Sequence, residues 1–217
     1  MNVVTIERNV LAKNDELAER NRQLLQLNAV FCVNLISSPG SGKTSILERT
    51  IERLKGTRRI AVVEGDVQTD IDAQRIAEYG IPAVQIVTRG GCHLEANLVA
   101  QALEAIDLAV CDLLIIENVG NLVCPASYDL GEAHKVVVIS TTEGEDKPLK
   151  YPEIFRRASA VIINKTDLLP YLNCNMAVLR ENILSVNPHV KLFETSCTTG
   201  GGIDIWCHWL ASHGGTQ

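Results

Sequence analysis

The chain has 217 residues, of which 46% are apolar and 21% charged. That balance supports a packed core and excludes wholesale disorder. A net charge of −6 and only 4% aromatic residues exclude a strongly basic nucleic-acid surface and a base-stacking platform. The length fits one large domain. No apolar run approaches the ~18 residues of a membrane span, and the charged N-terminus offers no signal-peptide segment, so the cytoplasm is the expected compartment. None of the 7 cysteines sits in a CxxC pair. Buried thiols or a metal site therefore fit better than a disulfide framework.

Residues 1–29 intersperse acids and bases, with Val10, Leu17 and Leu24 at heptad spacing. The pattern predicts an amphipathic helix from about Asp15 to Leu27, packed on its own body or on a partner. Residues 1–29 read as a docking segment and residues 30–217 as the main domain. Val30–Ile36 is a continuous apolar run, followed by a Gly-rich turn and helical spacing at Ile46, Leu47, Ile51 and Leu54. Further short strands are expected at Ile60–Val63, Ala83–Val87, Leu113–Ile116, Val136–Ile139, Val161–Ile163 and Lys191–Glu194. Helices are expected at Ile71–Tyr79, Leu94–Leu108 and Ile203–Leu210. Strands apolar throughout are buried on both faces, and alternation with helices marks a parallel sheet. The fold class is α/β: a mostly parallel sheet of about seven strands with helices on both faces.

Ser37–Thr44 reads SSPGSGKT, between a buried strand and a helix. Glycines let backbone amides approach phosphate oxygens, and the helix N-terminus adds to the anion cradle. The strict pattern has Gly where Ser37 stands, but PGSGKT is intact. Pro39, Gly40, Ser41, Gly42, Lys43, Thr44 and Ser45 are the candidate phosphate-binding residues. Lys43 supplies charge to the β/γ phosphates, and the Thr44 hydroxyl suits Mg²⁺.

Asn164-Lys165-Thr166-Asp167 closes a later strand. The Asp167 carboxylate can accept from guanine N1–H and N2–H₂, a donor pair that adenine lacks. Asn164, Lys165 and Asp167 are thus candidate base-binding residues. Ser196-Cys197 either closes over the base or is an ordinary polar loop. Asp66 and Glu117 follow strands, where nucleotide sites gather; each can reach Mg²⁺ or orient water, or simply cap a helix. With Lys43 they form the candidate catalytic set. Gly120 stands where a γ-phosphate-sensing turn is needed. Asp70 and Asp72 read as solvated or capping residues, with a γ-phosphate role as the alternative.

Gly90-Gly91-Cys92-His93 and Cys124-Pro125 form a second group. Thiolate and imidazole suit Zn²⁺ or Ni²⁺ and suit Mg²⁺ poorly. Neighbouring residues 92 and 93 reach one ion only from a loop or first turn. The competing reading is a buried free thiol and a surface histidine. Cys32 and Cys111 read as core, Cys207-His208 as packing, and Cys174 has no assignment.

With PGSGKT and NKTD, the runs Glu117–Pro125 (ENVGNLVCP) and Thr142–Pro148 (TEGEDKP) make the chain resemble the hydrogenase nickel-incorporation GTPases, the HypB family. The resemblance spans roughly residues 30–210. It implies a SIMIBI-class P-loop GTPase that forms a homodimer on binding GTP. Such proteins help deliver nickel to the large subunit of [NiFe]-hydrogenase with a small zinc-containing nickel chaperone, HypA. It further implies that Cys92, His93 and Cys124 hold nickel or zinc at the dimer interface, and that Lys147 or Lys150 reaches nucleotide across it. It assigns Lys43 and Thr44 to phosphate and Mg²⁺, and Asn164 and Asp167 to guanine. The N-terminal CxxCGC site and His-rich tract of some members are absent here, leaving the N-terminal helix as a docking element for the chaperone. A urease-type accessory GTPase carries Cys-Pro-His where this chain has Cys124-Pro125-Ala126, and a cobalamin-type one lacks the Cys/His set. A small-molecule kinase would use an Arg-rich lid, for which only Arg156-Arg157 offers material.

Overall fold

The computed structural model describes residues 3–68 and 71–213. Asp70 and the side chain of Val10 lie outside the described residues. The first half runs α1 (Val3–Leu27), β1 (Phe31–Ser37), α2 (Lys43–Leu54), β2 (Ile60–Asp66), α3 (Ile71–Ala77), β3 (Ala83–Val87), α4 (Ala96–Glu104) and β4 (Leu113–Glu117). The second half runs α5 (Cys124–Ser127), β5 (His134–Ser140), α6 (Lys147–Lys150), α7 (Pro152–Arg157), β6 (Ala160–Asn164), α8 (Met176–Val186), β7 (Lys191–Glu194) and α9 (Ile203–Ser212).

Seven strands pair in parallel in the order β3-β2-β4-β1-β5-β6-β7. Successive side chains of a strand point to opposite faces. Leu113 and Ile115 of β4 accordingly join Leu47, Ile51 and Trp206 on one face. Leu114 and Ile116 join Leu25, Val99 and Leu103 on the other. Val137 and Ile139 of β5 pack with Ile154, Phe155 and Leu179. This two-sided burial explains the unbroken apolar runs. Buried Trp206 donates through Nε1 to Thr50 Oγ1 at 2.9 Å, and Thr50 donates to Ile46 O at 2.7 Å. The last helix thereby grips α2, whose first residue is Lys43.

Three helix expectations need correction. The helix over Ile71–Tyr79 ends at Ala77. The helix over Leu94–Leu108 is shorter, Ala96–Glu104, with a separate 3-10 turn at Leu108–Val110. The N-terminal helix begins at Val3, well before Asp15, since no Gly or Pro interrupts the segment. Nor does its leucine stripe face inward: Leu24 is 40% exposed, while Asn14, Ala18, Asn21 and Leu25 are buried. Apolar periodicity missed this face because two of its four residues are polar. Asn21 Nδ2 donates to Ala96 O at 2.8 Å and Leu130 O at 3.0 Å. Asn14 donates to Asp129 O at 2.8 Å, and its own Oδ1 accepts from Ala96 N at 2.9 Å. That last bond caps α4, whose N-cap residue Glu95 makes no side-chain cap. Gly131 (φ 95°) permits the close approach; a Cβ there would lie 2.7 Å from Ala18 O. No helix among the described residues is long and apolar enough to cross a membrane.

Candidate nucleotide and metal site

The C-terminal ends of β1, β2, β4 and β6 surround a cavity of about 580 Å³. It is lined by the phosphate loop, Asp66, Asp72, Arg75, Glu117, Gly120 and Lys165. Gly42, at φ 91°, sits just before α2, and a Cβ on it would meet Asn164 Nδ2 at 2.5 Å. Asn164 is buried; it donates to Ser41 O at 3.1 Å and accepts from Thr195 Oγ1 at 3.2 Å. Lys165 Nζ donates to Gly40 O at 2.6 Å. Both residues therefore brace the phosphate loop. Asp167 Oδ1 accepts from Ser196 Oγ at 2.6 Å, and Cys197 Sγ lies 3.5 Å from Asn164 Oδ1. The Ser196-Cys197 loop thus stands against Asn164 and Asp167, the candidate base-binding residues.

Glu117 Oε1 accepts from Lys43 Nζ at 2.5 Å and from Thr44 Oγ1 at 2.7 Å. Its Oε2 is buried with no hydrogen-bond partner. An unpaired carboxylate oxygen beside a Thr hydroxyl and Asp66 is a hard-oxygen donor set, which fits Mg²⁺. Asp66 Oδ1 accepts from Gln68 N at 2.8 Å. Asp72 pairs with Arg75, which also reaches Glu48 at 2.8 Å. Among residues near the phosphate loop, Glu143 accepts from Ser38 Oγ and, at 2.8 Å, from Ser41 Oγ, with Lys147 Nζ 3.6 Å away. Lys150 instead pairs with Asp146 on the surface. Arg156 and Arg157 both bond Glu153 on their own helix, which leaves the kinase-lid reading without support.

Sequence reading missed Glu64. It lies opposite Glu117 in the β2–β4 register and is buried. Burial first, then the neighbouring Glu117 carboxylate, push its carboxyl up to about 10. The available signal was an acid placed inside an apolar strand rather than after it. A folded pKa above the unfolded one means the native state holds the proton. Glu64's contribution is therefore intact below the unfolded value near 4.5 and is lost as pH climbs toward 10. Glu64→Gln mimics the neutral acid and should flatten this dependence. Its advantage over the parent in nucleotide-free urea unfolding should grow between pH 6 and pH 9 by on the order of 1–3 kcal/mol. A parent chain equally stable at pH 9 would contradict the assignment.

The thiol–imidazole group does assemble. Cys92 and His93 lie in the loop between β3 and α4, after Arg89 (φ 49°) and Gly90 (φ 104°), and Cys124 opens α5. Cys92 Sγ is 2.9 Å from Cys124 Sγ and 3.6 Å from His93 Nδ1. Among the described residues, these three alone bring His, Cys or carboxylate ligand atoms within 4.8 Å of one another. Burial lowers His93's proton affinity, which keeps its imidazole a lone-pair donor. The hydrogen bond to Cys124 raises the Cys92 thiol pKa. His93 lies on the Tyr128 ring, with centroids 3.9 Å apart. Asn121 ties the two loops, donating to Cys92 O at 3.2 Å and accepting from Val123 N at 2.9 Å. Cys32, Cys111 and Cys207 are buried as expected of core thiols. His208 projects outward from α9.

Fold and site together define a P-loop nucleotide-binding protein of the GTPase type that also carries a Cys/His cluster of metal-ligand type. Residues 31–194 match the family model for the CobW/HypB/UreG nucleotide-binding domain. The hydrogenase maturation factor HypB of Azotobacter vinelandii is 51% identical over 99% of this chain and 71% of its own length. The crystal structure of HypB from Archaeoglobus fulgidus is similar, with TM-score 0.88 and 40% identity, covering 94% of this chain and all of that one. HypB from Helicobacter pylori, solved in complex with nickel, gives TM-score 0.89 and 38% identity over 93% of this chain and 95% of its own. The chain belongs to the HypB family of hydrogenase maturation factors.

Proposed function

We propose that this chain binds GTP with Mg²⁺, hydrolyses it to GDP and phosphate, and couples that cycle to nickel delivery during [NiFe]-hydrogenase maturation. Phosphate draws Lys43 away from Glu117, and Asp167 reads guanine beside Ser196. Thr44, Asp66 and Glu117 hold Mg²⁺, which neutralises charge on the β- and γ-phosphates. Cys92, His93 and Cys124 hold the ion in transit, and zinc competes for the same donors. In this reading GTP favours a homodimer, Lys147 reaches the partner's nucleotide, and residues 1–29 dock the small chaperone HypA. The nickel complex of the Helicobacter pylori relative supports the cargo assignment.

One observation carries the coupling. Asn118 follows Glu117 directly and is buried. Its Oδ1 accepts from Leu94 N at 3.1 Å and Val119 N at 2.9 Å, and its Nδ2 donates to Asn34 Oδ1 at 3.3 Å. Leu94 is the residue after His93. When Lys43 and Thr44 exchange their bonds to Glu117 for nucleotide and Mg²⁺, the contacts of the residue next to Asn118 change. Asn118 passes that change to the metal loop through a single buried amide. The test measures nickel affinity and molecular mass with GDP and with a non-hydrolysable GTP analogue. A mass doubling and an affinity change of about tenfold or more are expected with the analogue. Equal affinity in both states would defeat the coupling, and an unchanged mass would defeat the dimer.

A further inference from the structure

Three of the chain's 5 histidines line one cavity of about 320 Å³ that the phosphate site does not use. His134 opens β5, so the cavity sits at the N-terminal end of the sheet, opposite the nucleotide. His213 follows α9, and the exposed His189 stands in the turn before β7. We propose that His134, His213 and His189 form a second, imidazole-only site for a borderline divalent transition ion such as Ni²⁺ or Zn²⁺.

The two inner rings are spaced as ligands of one ion. Metal-bound imidazole nitrogens lie ~2.1 Å from the ion, which puts two cis rings on one ion with centroids ~5 Å apart. The His134 and His213 centroids are 5.1 Å apart. Outer hydrogen bonds also hold both rings. His213 Nδ1 bonds Trp209 O at 2.8 Å; a carbonyl only accepts, so Nδ1 carries the proton and Nε2 the lone pair. His134 Nδ1 bonds Ser159 Oγ at 2.9 Å. A metal-ligating histidine usually ties one ring nitrogen to oxygen in this way and binds the ion through the other. Aromatic walls fix both rings: Phe31 stacks on His213 at 5.3 Å and meets His134 edge-on at 5.5 Å. Trp209 lies 4.7 Å from His213.

His189 supplies the third nitrogen from an exposed position in the turn before β7. The three rings do not converge as closely as the Cys92 group does, so the exposed His189 side chain is the one that would turn inward on binding. Its turn is held by Asn187, which donates to Phe155 O and Ala158 O at 2.9 Å each. Lys191 also lines the cavity but is exposed and can turn its ammonium to water. Two preset ligands and one recruited ligand make a weaker site than the thiolate pocket.

The test uses the full chain carrying Cys92→Ala, His93→Ala and Cys124→Ala, titrated with Ni²⁺. Bound ion is counted by equilibrium dialysis and tryptophan emission is followed. One ion per chain is expected, with emission quenched by half or more because Trp209 adjoins the site. Adding His213→Ala should weaken binding at least tenfold and abolish the quench, and His189→Ala should weaken it less. His213 lies just past the end of α9, and circular dichroism of each variant checks that the chain stays folded. No bound ion in the triple variant, or binding that survives both His213→Ala and His134→Gln, would overturn the site. So would binding that disappears with Cys174→Ser instead.

Discussion

Cys124→Ala should weaken nickel binding by the nucleotide-free chain about a hundredfold or more, with GDP affinity unchanged. The three ligand atoms within 4.8 Å are two sulfurs and one imidazole nitrogen. Removing one sulfur leaves a single thiolate and a neutral ring, too few charges to offset the desolvation of a divalent ion. Cys92→Ala should behave alike, because the sulfurs adjoin each other at 2.9 Å and no third cysteine is near. His93→Ala should cost less, since it removes a neutral donor. The same substitution at Cys174, beside a different surface cavity, should change nothing. Competition against a chromophoric chelator reads all four variants. Parental affinity in Cys124→Ala would remove the pocket from the account of this protein.

The selectivity of that forecast follows from how the two sites are built. The phosphate loop rests on β1, β6 and α2, and its braces are Asn164 and Lys165. The metal loops rest on α1, α4 and Asn121. They share Asn118 and the end of β4. Truncating a thiol at the rim leaves that shared strand untouched, so nucleotide affinity should persist.

The phosphate loop was legible because its chemistry demands specific residues in sequence: glycines for close approach, then Lys43 and Thr44. The parallel sheet was legible because strands buried twice must be apolar throughout. Glu64 was not, since the pressure that makes it notable arises from Glu117 on a neighbouring strand, 53 positions away in sequence. The buried face of α1 stayed hidden for a related reason. Asn14 and Asn21 are core residues only because α4 and the 129–131 turn present unpaired backbone groups to them. Periodicity registers apolar burial and is blind to polar groups that are buried because they are satisfied. The Cys/His group was intermediate. Its residue types pointed to a soft metal, but only the left-handed Arg89–Gly90 turn brings Cys92 onto Cys124.

Asp167→Asn should raise the Kd for GTP about 10²–10³-fold and confer binding of xanthosine triphosphate. The carboxylate offers only acceptors, which match guanine N1–H and N2–H₂. An amide turns one acceptor into a donor, which then faces the N2 amine as donor against donor. Two lost charge-assisted bonds and one unpaired group cost ~3–4 kcal/mol, in line with that factor. Xanthine carries a carbonyl where guanine has the amine, so the new donor finds an acceptor there. Ser196 Oγ, 2.6 Å from Asp167 Oδ1, can serve Asn equally well, so the motif should keep its position. Nickel affinity in the GDP-free chain should stay parental, because Asp167 touches neither β4 nor the metal loops. Fluorescent-nucleotide displacement with both triphosphates checks the exchange. Unchanged GTP affinity would show that the base is read elsewhere, and loss of both nucleotides would show that Asp167 holds the loop rather than the base.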